Sequence, residues 1–540
     1  MSSEPCAMTL PELLRDAATH APDSDALVAG ATRWTYAQLD EQADLAADVL
    51  AGLGVATGDT VALLAPNVAE WIPVAFGAMT LGARVDAFNT WVKAYDLDHL
   101  LASSAASVLV MVDRVRGSDL LAELQRLVPE LFDGAAGGGW RSERFPQLRH
   151  VVILGDRVPA GARSWGALAA DTTRTSRTPA ARPGDPAFVL YTSGSTSHPK
   201  AVPLCHRDLV LNGFHIGERM GVTAADRVWF GSPLFWSFGC ANALVNAMSH
   251  RACFVLQEQF SPEAAAELMA AERVSVAYLL PSMVDALVGS VAERVRAVTT
   301  LRTGATIGRP DEVRRAVVNL GISGLCNVYG STETYGNCCV TDHRAPLEDR
   351  LSTQGEPLPG VQVRIVDAVT GDVLPAGEPG EMQVRGRVTP GYLGDEQATA
   401  TAFTTDGWYR TGDRMVIRPD GAVSFVGRTT DMIKTSGINV SPAEVESFLA
   451  GHPDVAEVVV LGAPHPGRDE VVVAFVVARS ASLTPEDVIA WCKDRIAGYK
   501  VPWVVAVVDE LPRTGTGKLV RRTLQESAVG LVSTRLQELS

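Results

Sequence analysis

The sequence predicts an α/β fold, with a large N-terminal part of α/β subdomains, a β-rich subdomain after it and a small α+β unit at the C-terminal end. Three observations carry this. Short apolar runs alternate with helical patterns over most of the chain, as strands and crossover helices do. From Leu358 to Val388 the helical pattern gives way to strand runs broken by Gly and Pro turns. Near Thr430 a fresh set of helix and strand signals begins. The boundary therefore falls between 1–429 and 430–540.

In chain order, Pro22 to Leu53 holds a strand pair and an amphipathic helix. Val61-Ala-Leu-Leu-Ala and Val108-Leu-Val-Met-Val are unbroken apolar runs, the pattern of strands buried on both faces. Asp133 to Gln147, with its Gly-Ala-Ala-Gly-Gly-Gly core, reads as a loop. So does Thr172 to Asp185, rich in Thr, Arg and Pro. The β-rich stretch contains Val361-Gln-Val-Arg-Ile-Val and Glu381-Met-Gln-Val-Arg. In the last unit, Ser441 as N-cap, Pro442 at the first helical position and Glu444 three residues on form a capping box, and Gly451 ends the helix. Strands are expected at Ala456–Leu461, Val471–Val477 and Trp503–Val508, with a helix after Thr484-Pro485.

With 540 residues, 46% of them hydrophobic, the chain has ample core for more than one domain. A net charge of -15 and a pI near 5.2 argue against a nucleic-acid footprint, which needs basic stripes. The first residues lack a basic region followed by an apolar run, so no secretory signal is expected. No stretch approaches the roughly 18 to 20 apolar residues of a spanning helix. Eight cysteines are scattered, with Cys338-Cys339 adjacent and not spaced for zinc, which suggests reduced thiols and a cytoplasmic location.

Residues Tyr191 to Lys200 read Y-T-S-G-S-T-S-H-P-K: five hydroxyl side chains and one glycine between an apolar run and a lysine. Such a loop offers backbone N–H groups, O–H donors and one cation to a polyphosphate. It is not a Walker loop, because no second glycine precedes Lys200 and no Ser/Thr follows it. Four further candidate segments follow in order. They are Asn327-Val-Tyr-Gly-Ser-Thr-Glu333, Gly407-Trp-Tyr-Arg-Thr-Gly-Asp413, Gly427-Arg-Thr-Thr-Asp-Met-Ile-Lys434 and Leu511-Pro-Arg-Thr-Gly-Thr-Gly-Lys518. Taken singly, each has an ordinary explanation as a solvated loop, a turn or a core aromatic. The series in this order is the signal.

Together these segments resemble the adenylate-forming superfamily: acyl- and aryl-CoA synthetases, adenylation domains and firefly luciferase. The resemblance runs over nearly the whole chain. It implies that a carboxylate attacks the α-phosphate of ATP to give an acyl-adenylate and pyrophosphate, after which a thiol, commonly that of coenzyme A, displaces AMP. Two unit charges about 4 Å apart repel by roughly 4 kcal/mol at an effective dielectric of about 20, so cations must stand between carboxylate and phosphate. By resemblance Lys518 is the catalytic cation, Glu333 holds Mg²⁺ on the phosphates, and Thr332 binds phosphate beside it. Thr192, Ser193, Gly194, Ser195, Thr196 and Lys200 form the phosphate loop. Tyr329 gives adenine a flat face, Asn327 has an amide able to read its exocyclic amine, and Gly304, Ala305 and Gly330 pass close to the nucleotide. Asp413 accepts from the ribose hydroxyls, and Arg428 contacts ribose or phosphate.

The resemblance also implies a small mobile C-terminal domain that rotates between half-reactions, with the hinge at Thr430 and Lys434 on the face used for thioester formation. The acyl pocket is expected to draw on Trp236 as gate and on Phe238, Asn242 and Tyr335. This set lacks a fixed cation or Asp for an α-amino acid, and so favours an aliphatic, alicyclic or aryl acid. The sequence departs from the family pattern at Ser197 and Ala201, where Gly is usual, at Gly304-Ala-Thr-Ile-Gly308, and at Thr430. Other readings keep the same first step with a carrier protein, an amine or activated nitrite in the second, or make the chain a non-catalytic nucleotide-binding protein. Retention of Glu333, Lys434 and Lys518 counts against the last.

Overall fold

The computed structural model describes residues 4–133, 139–192, 199–308, 310–428, 432–480, 482–512 and 521–539. The chain divides into two compact units. One comprises Met1–Thr90, Leu101–Tyr191 and Ala201–Gly427, the other Trp91–Leu100, Thr192–Lys200 and Arg428–Ser540.

The first unit is built on three large sheets, with a two-stranded ribbon, Arg114–Val115 and Ser118–Asp119, beside them in sequence. At the centre of a nine-stranded sheet, parallel strands run in the order Gly324–Tyr329, Thr303–Thr306, Val276–Leu279, Arg227–Phe230, Cys253–Leu256 and Asp25–Ala29. The edges are antiparallel, with Thr32–Thr35 beside Asp25–Ala29 and Cys339–Val340 beside Gly324–Tyr329. Helices Pro262–Ala271, Pro281–Ser290 and Pro310–Leu320 bury Ala265, Leu287 and Val313 in one cluster with Trp229, Leu279 and Leu325 of the strands.

A seven-stranded sheet places His150–Ile153, Val108–Met111, Thr60–Leu64, Arg84–Ala87 and Pro186–Thr192 side by side in parallel. The two runs read from sequence as buried strands are direct neighbours here, with Val61 opposite Val108 and Leu64 opposite Met111. Between the sheets in sequence, Thr35 and Gln38 form a complete capping box on helix Tyr36–Gly52. The Thr172–Asp185 stretch has no helix or strand. It is fastened to that helix, since Asp48 accepts from the Thr175 N–H (2.5 Å) and from Arg177 Nε (2.6 Å). The third sheet is the β-rich part: Gln362–Val366, Gly380–Arg385, Tyr409–Ile417 and Val423–Arg428, the first three antiparallel.

In the second unit, Ser441 Oγ accepts the Glu444 N–H (3.4 Å) to cap helix Pro442–Ala450, which ends at Gly451. Strands Val455–His465 and Asp469–Ala478 pair antiparallel, and Val504–Val508 lies parallel to the latter. Both long strands exceed the runs expected from sequence. Their period-two alternation serves two cores: Val460, Val472, Ala474 and Val476 face Val445 and Leu449, while Val459, Leu461 and Val473 face Leu524, Ala528 and Val532 of helix Arg521–Glu538. Helix Pro485–Cys492 follows Thr484, which with Asp487 makes a full capping box.

A buried ionic cluster joins three segments of this unit. Lys500, 5% exposed, places Nζ 2.6 Å from Asp96 Oδ1 and 2.6 Å from Glu444 Oε1, and Asp96 Oδ2 accepts the Ala497 N–H at 3.1 Å. Removing one partner of such a cluster strands buried charge. Lys500→Ala should therefore lower the unfolding free energy of this unit by about 3 to 5 kcal/mol. Lys500→Met combined with Asp96→Leu and Glu444→Leu should recover most of it, as read by urea titration and hydrogen exchange over Val455–Ala478.

Candidate active site

The candidate site grows from the carboxyl end of the buried strand Gly324–Tyr329, the end at which open α/β sheets present ligands. Immediately after it, Gly330 admits no side chain: a Cβ there would lie 2.2 Å from the Gly336 carbonyl oxygen. The chain then makes a short 3₁₀ turn, Thr332–Thr334, closed by reciprocal bonds between Ser331 and Thr334. Tyr335 ends it in the left-handed region at φ 60°. This tight reversal holds Tyr329, Thr332 and Glu333 within a few residues of one another.

Tyr329 is 8% exposed, and its hydroxyl donates to Asp413 Oδ2 at 2.7 Å. The strand Tyr409–Ile417 supplies Asp413, whose N–H donates to Thr411 Oγ1 at 3.1 Å. Burial, and then the Asp413 charge, push the Tyr329 phenol well above its usual pKa, so it remains a donor. Two residues that lie far apart in sequence and were read as adenine and ribose contacts are thus bonded to each other. Thr332 Oγ1 donates to Ser237 Oγ at 3.4 Å, which ties the turn to the segment that carries Trp236 and Phe238.

Asn327 lies within the strand and is wholly buried. Its amide donates to the Gly308 carbonyl (3.2 Å) and accepts the Gly308 N–H (3.3 Å). The amide expected to read adenine is engaged at both ends with that backbone, so here Asn327 fixes the Gly304–Gly308 segment. Gly304 and Ala305 sit on the neighbouring strand opposite Leu325 and Cys326. A Cβ on Gly304 would come 2.0 Å from the Ala277 carbonyl oxygen, which explains its glycine by strand packing alone.

The expected acyl pocket is only partly assembled from side chains. Trp236 precedes a π-helical turn, Ser237–Ala243, and packs edge-on to Phe235. Phe238 packs on Phe230 and Tyr278. Asn242 is fully buried, and its Nδ2 donates to the Tyr335 carbonyl at 2.7 Å; its Oδ1 has no partner among the described residues. The Tyr335 ring, expected as a pocket wall, is fully buried. Its hydroxyl accepts the Cys205 N–H (3.1 Å) and donates to Asp208 Oδ2 (3.4 Å). It ties the turn to the end of strand Lys200–Cys205 and to helix His206–Met220.

Of the phosphate loop, Thr192 closes strand Pro186–Thr192 and Lys200 opens strand Lys200–Cys205. Ser193, Gly194, Ser195, Thr196 and Ser197 lie outside the described residues, as do Thr430 and Lys518. Arg428 is the last residue of its strand. In the second unit, Lys434 lies on strand Ile433–Thr435, with its N–H donating to Glu470 Oε2 at 2.8 Å. Next to it Thr435, Ser436, Arg468, Tyr499 and Trp503 line a depression of about 90 Å³.

Glu333 is 8% exposed. One carboxylate oxygen accepts the Tyr392 hydroxyl at 3.0 Å, and the other takes no hydrogen bond among the described residues. No group of three His, Cys, Asp or Glu side chains there could cage a metal by itself. One carboxylate beside a hydroxyl suits Mg²⁺ that arrives on nucleotide phosphates, since that ion is commonly held by one or two carboxylates plus phosphate oxygens. Sequence reasoning missed Tyr392, Ser237 and Asn212. Tyr392 stands in Pro390-Gly-Tyr392-Leu393, a turn signal with an aromatic in it, and that was the available clue.

The pattern of the AMP-binding enzyme family matches residues 14–393, and that of the AMP-binding enzyme C-terminal domain matches 444–518. The chain belongs to the AMP-binding enzyme family. Among its relatives are the acyl-CoA ligase SID4 of Ajellomyces capsulatus, 30% identical over 97% of this chain and 92% of that protein. Another is the medium-chain acyl-CoA ligase ACSF2, mitochondrial, of Mus musculus, 30% identical over 96% of this chain and 87% of that protein. The solved structure of the amide bond synthetase McbA from Marinactinospora thermotolerans is 25% identical, with a TM-score of 0.81, over 95% of this chain and 99% of that one. For this AMP-binding enzyme, Tyr329→Phe should weaken ATP binding about ten-fold by releasing Asp413 from its donor. Asp413→Asn should weaken it at least as much, with affinity for the acid unchanged in both, as measured by calorimetry.

Proposed function

We propose that this chain is an AMP-forming acid–thiol ligase: it activates a small carboxylic acid with ATP and passes the acyl group to coenzyme A. Its family and the acyl-CoA ligase names of relatives aligned over nearly its whole length support this reading. The observation that carries it is the turn at Gly330, which sets Thr332 and Glu333 beside the Tyr329–Asp413 pair. In the first step a carboxylate oxygen bonds to the α-phosphorus as the bond to the departing pyrophosphate breaks. In the second the thiol sulfur bonds to the acyl carbon, AMP leaves, and the thiol proton goes to solvent.

Within this reading Mg²⁺ rides on the phosphates at Glu333, Lys518 screens carboxylate from phosphate, and Lys434 serves the thioester step, with Thr430 as pivot between them. The acid is aliphatic, alicyclic or aryl, judged by the apolar surfaces of Trp236 and Phe238. Likeness to an amide bond synthetase favours an amine as the second acceptor to test. Among the described residues no helix is long and apolar enough to cross a membrane.

ATP–pyrophosphate exchange against a panel of acids should identify a carboxylate that supports exchange. AMP release with that acid should then require coenzyme A. Release supported by an amine or a carrier protein, and not by coenzyme A, would change the acceptor; no exchange with any acid would defeat the reading. Lys518→Ala should lower exchange roughly 10²- to 10³-fold and leave transfer from preformed acyl-adenylate to coenzyme A near the parent rate. Trp236→Ala, at a stability cost of about 3 to 5 kcal/mol, should shift kcat/KM toward bulkier acids with ATP parameters fixed, whereas a uniform loss would make Trp236 structural.

A further inference from the structure

We infer that Tyr392, backed by Tyr409, is a positioning residue that holds Glu333 by one carboxylate oxygen and so presents the other to the cation of the nucleotide. The inference rests on the reading of Glu333 as a Mg²⁺ ligand.

The geometry is local and complete within the first unit. Tyr392 Oη donates to Glu333 Oε1 at 3.0 Å, and both residues are 8% exposed. A carboxylate on a short turn has free rotation about its last bond. A cation held by a single carboxylate gains affinity when that rotation is already stopped. The donor must itself be immobile, and the structure secures it on three sides. The Tyr392 N–H donates to Thr399 Oγ1 at 2.9 Å, at the helix Glu396–Ala402. Next to it, the Leu393 N–H donates to the Ala201 carbonyl at 3.0 Å. Thr389 supplies the third tie, its N–H donating to the Glu333 backbone carbonyl at 2.7 Å and its Oγ1 to the Pro203 carbonyl at 2.8 Å.

Residues 389–393 therefore brace the Glu333 turn, by main chain and side chain at once, against strand Lys200–Cys205. The buried phenol of Tyr409 lies against the Tyr392 hydroxyl and feels the Glu333 charge. A phenol is a donor at neutral pH by its ordinary chemistry, so the bond to Glu333 needs no special protonation. Nothing in this arrangement requires Tyr392 to touch substrate, which makes it a positioning and not a catalytic residue.

The test uses the full chain and Mn²⁺ as the probe, titrated by electron paramagnetic resonance in the presence of an α,β-methylene ATP analogue. Tyr392→Phe keeps the ring and removes only the donor, with melting as the check on folding. Mn²⁺ affinity should fall about ten-fold, while affinity for the analogue in EDTA stays within two-fold. Tyr409→Phe should produce a smaller loss in the same direction, and Tyr392→His, which restores a donor, should regain part of it. Glu333→Gln is titrated in parallel. If Glu333→Gln weakens Mn²⁺ and Tyr392→Phe does not, the positioning role is overturned and the metal reading stands. If neither weakens it, both fall.

Discussion

The chain can reverse direction after Tyr329 only because residue 330 has no side chain, and the rest of the candidate site hangs from that reversal. The strand before it is buried between a parallel and an antiparallel neighbour, so its position is set by the sheet and cannot shift to relieve a clash. With the Gly336 carbonyl packed where a Cβ would be, Thr332 and Glu333 come round beside the end of the strand and Tyr329 stays directed at Asp413. Asn242 and Asn212 then fasten the far side of the reversal by donating to the Tyr335 carbonyl, at 2.7 and 3.1 Å.

Those two asparagines have a cost. Their carbonyl oxygens, the whole amide of Asn337 and the Ser331 hydroxyl are buried around the same turn with no hydrogen-bond partner among the described residues. Buried polar atoms are ordinarily satisfied, and their concentration at one reversal sets this turn apart from the apolar cores of the sheets. The second unit treats its buried charge differently, with Lys500 set between two carboxylates.

Much of the architecture was legible in the residues. Buried parallel strands show as apolar runs because both faces are covered, as at Val61 and Val108. Helix starts show because a few side chains satisfy backbone donors locally, as at Thr35, Ser441 and Thr484. The order of motifs pointed to a nucleotide-using enzyme, and the match to the AMP-binding enzyme family agrees. The extent of strands Val455–His465 and Asp469–Ala478 was understated, because pairing continues through Gly462, Pro464 and polar ends that local propensity discounts.

Sequence by itself determined what is local or repeated: the strand and helix pattern, the caps, the hydroxyl loop, and the identity of the chemically able side chains. Only the tertiary structure decided which of these face one another. Tyr329 and Asp413 are 84 positions apart, Glu333 and Tyr392 are 59, and Asp96 and Lys500 are 404. No periodicity spans such separations. The same reason gave Asn327 and Tyr335 partners that the sequence did not announce, since a side chain's partner depends on the backbone that packs against it, and that backbone comes from elsewhere in the chain.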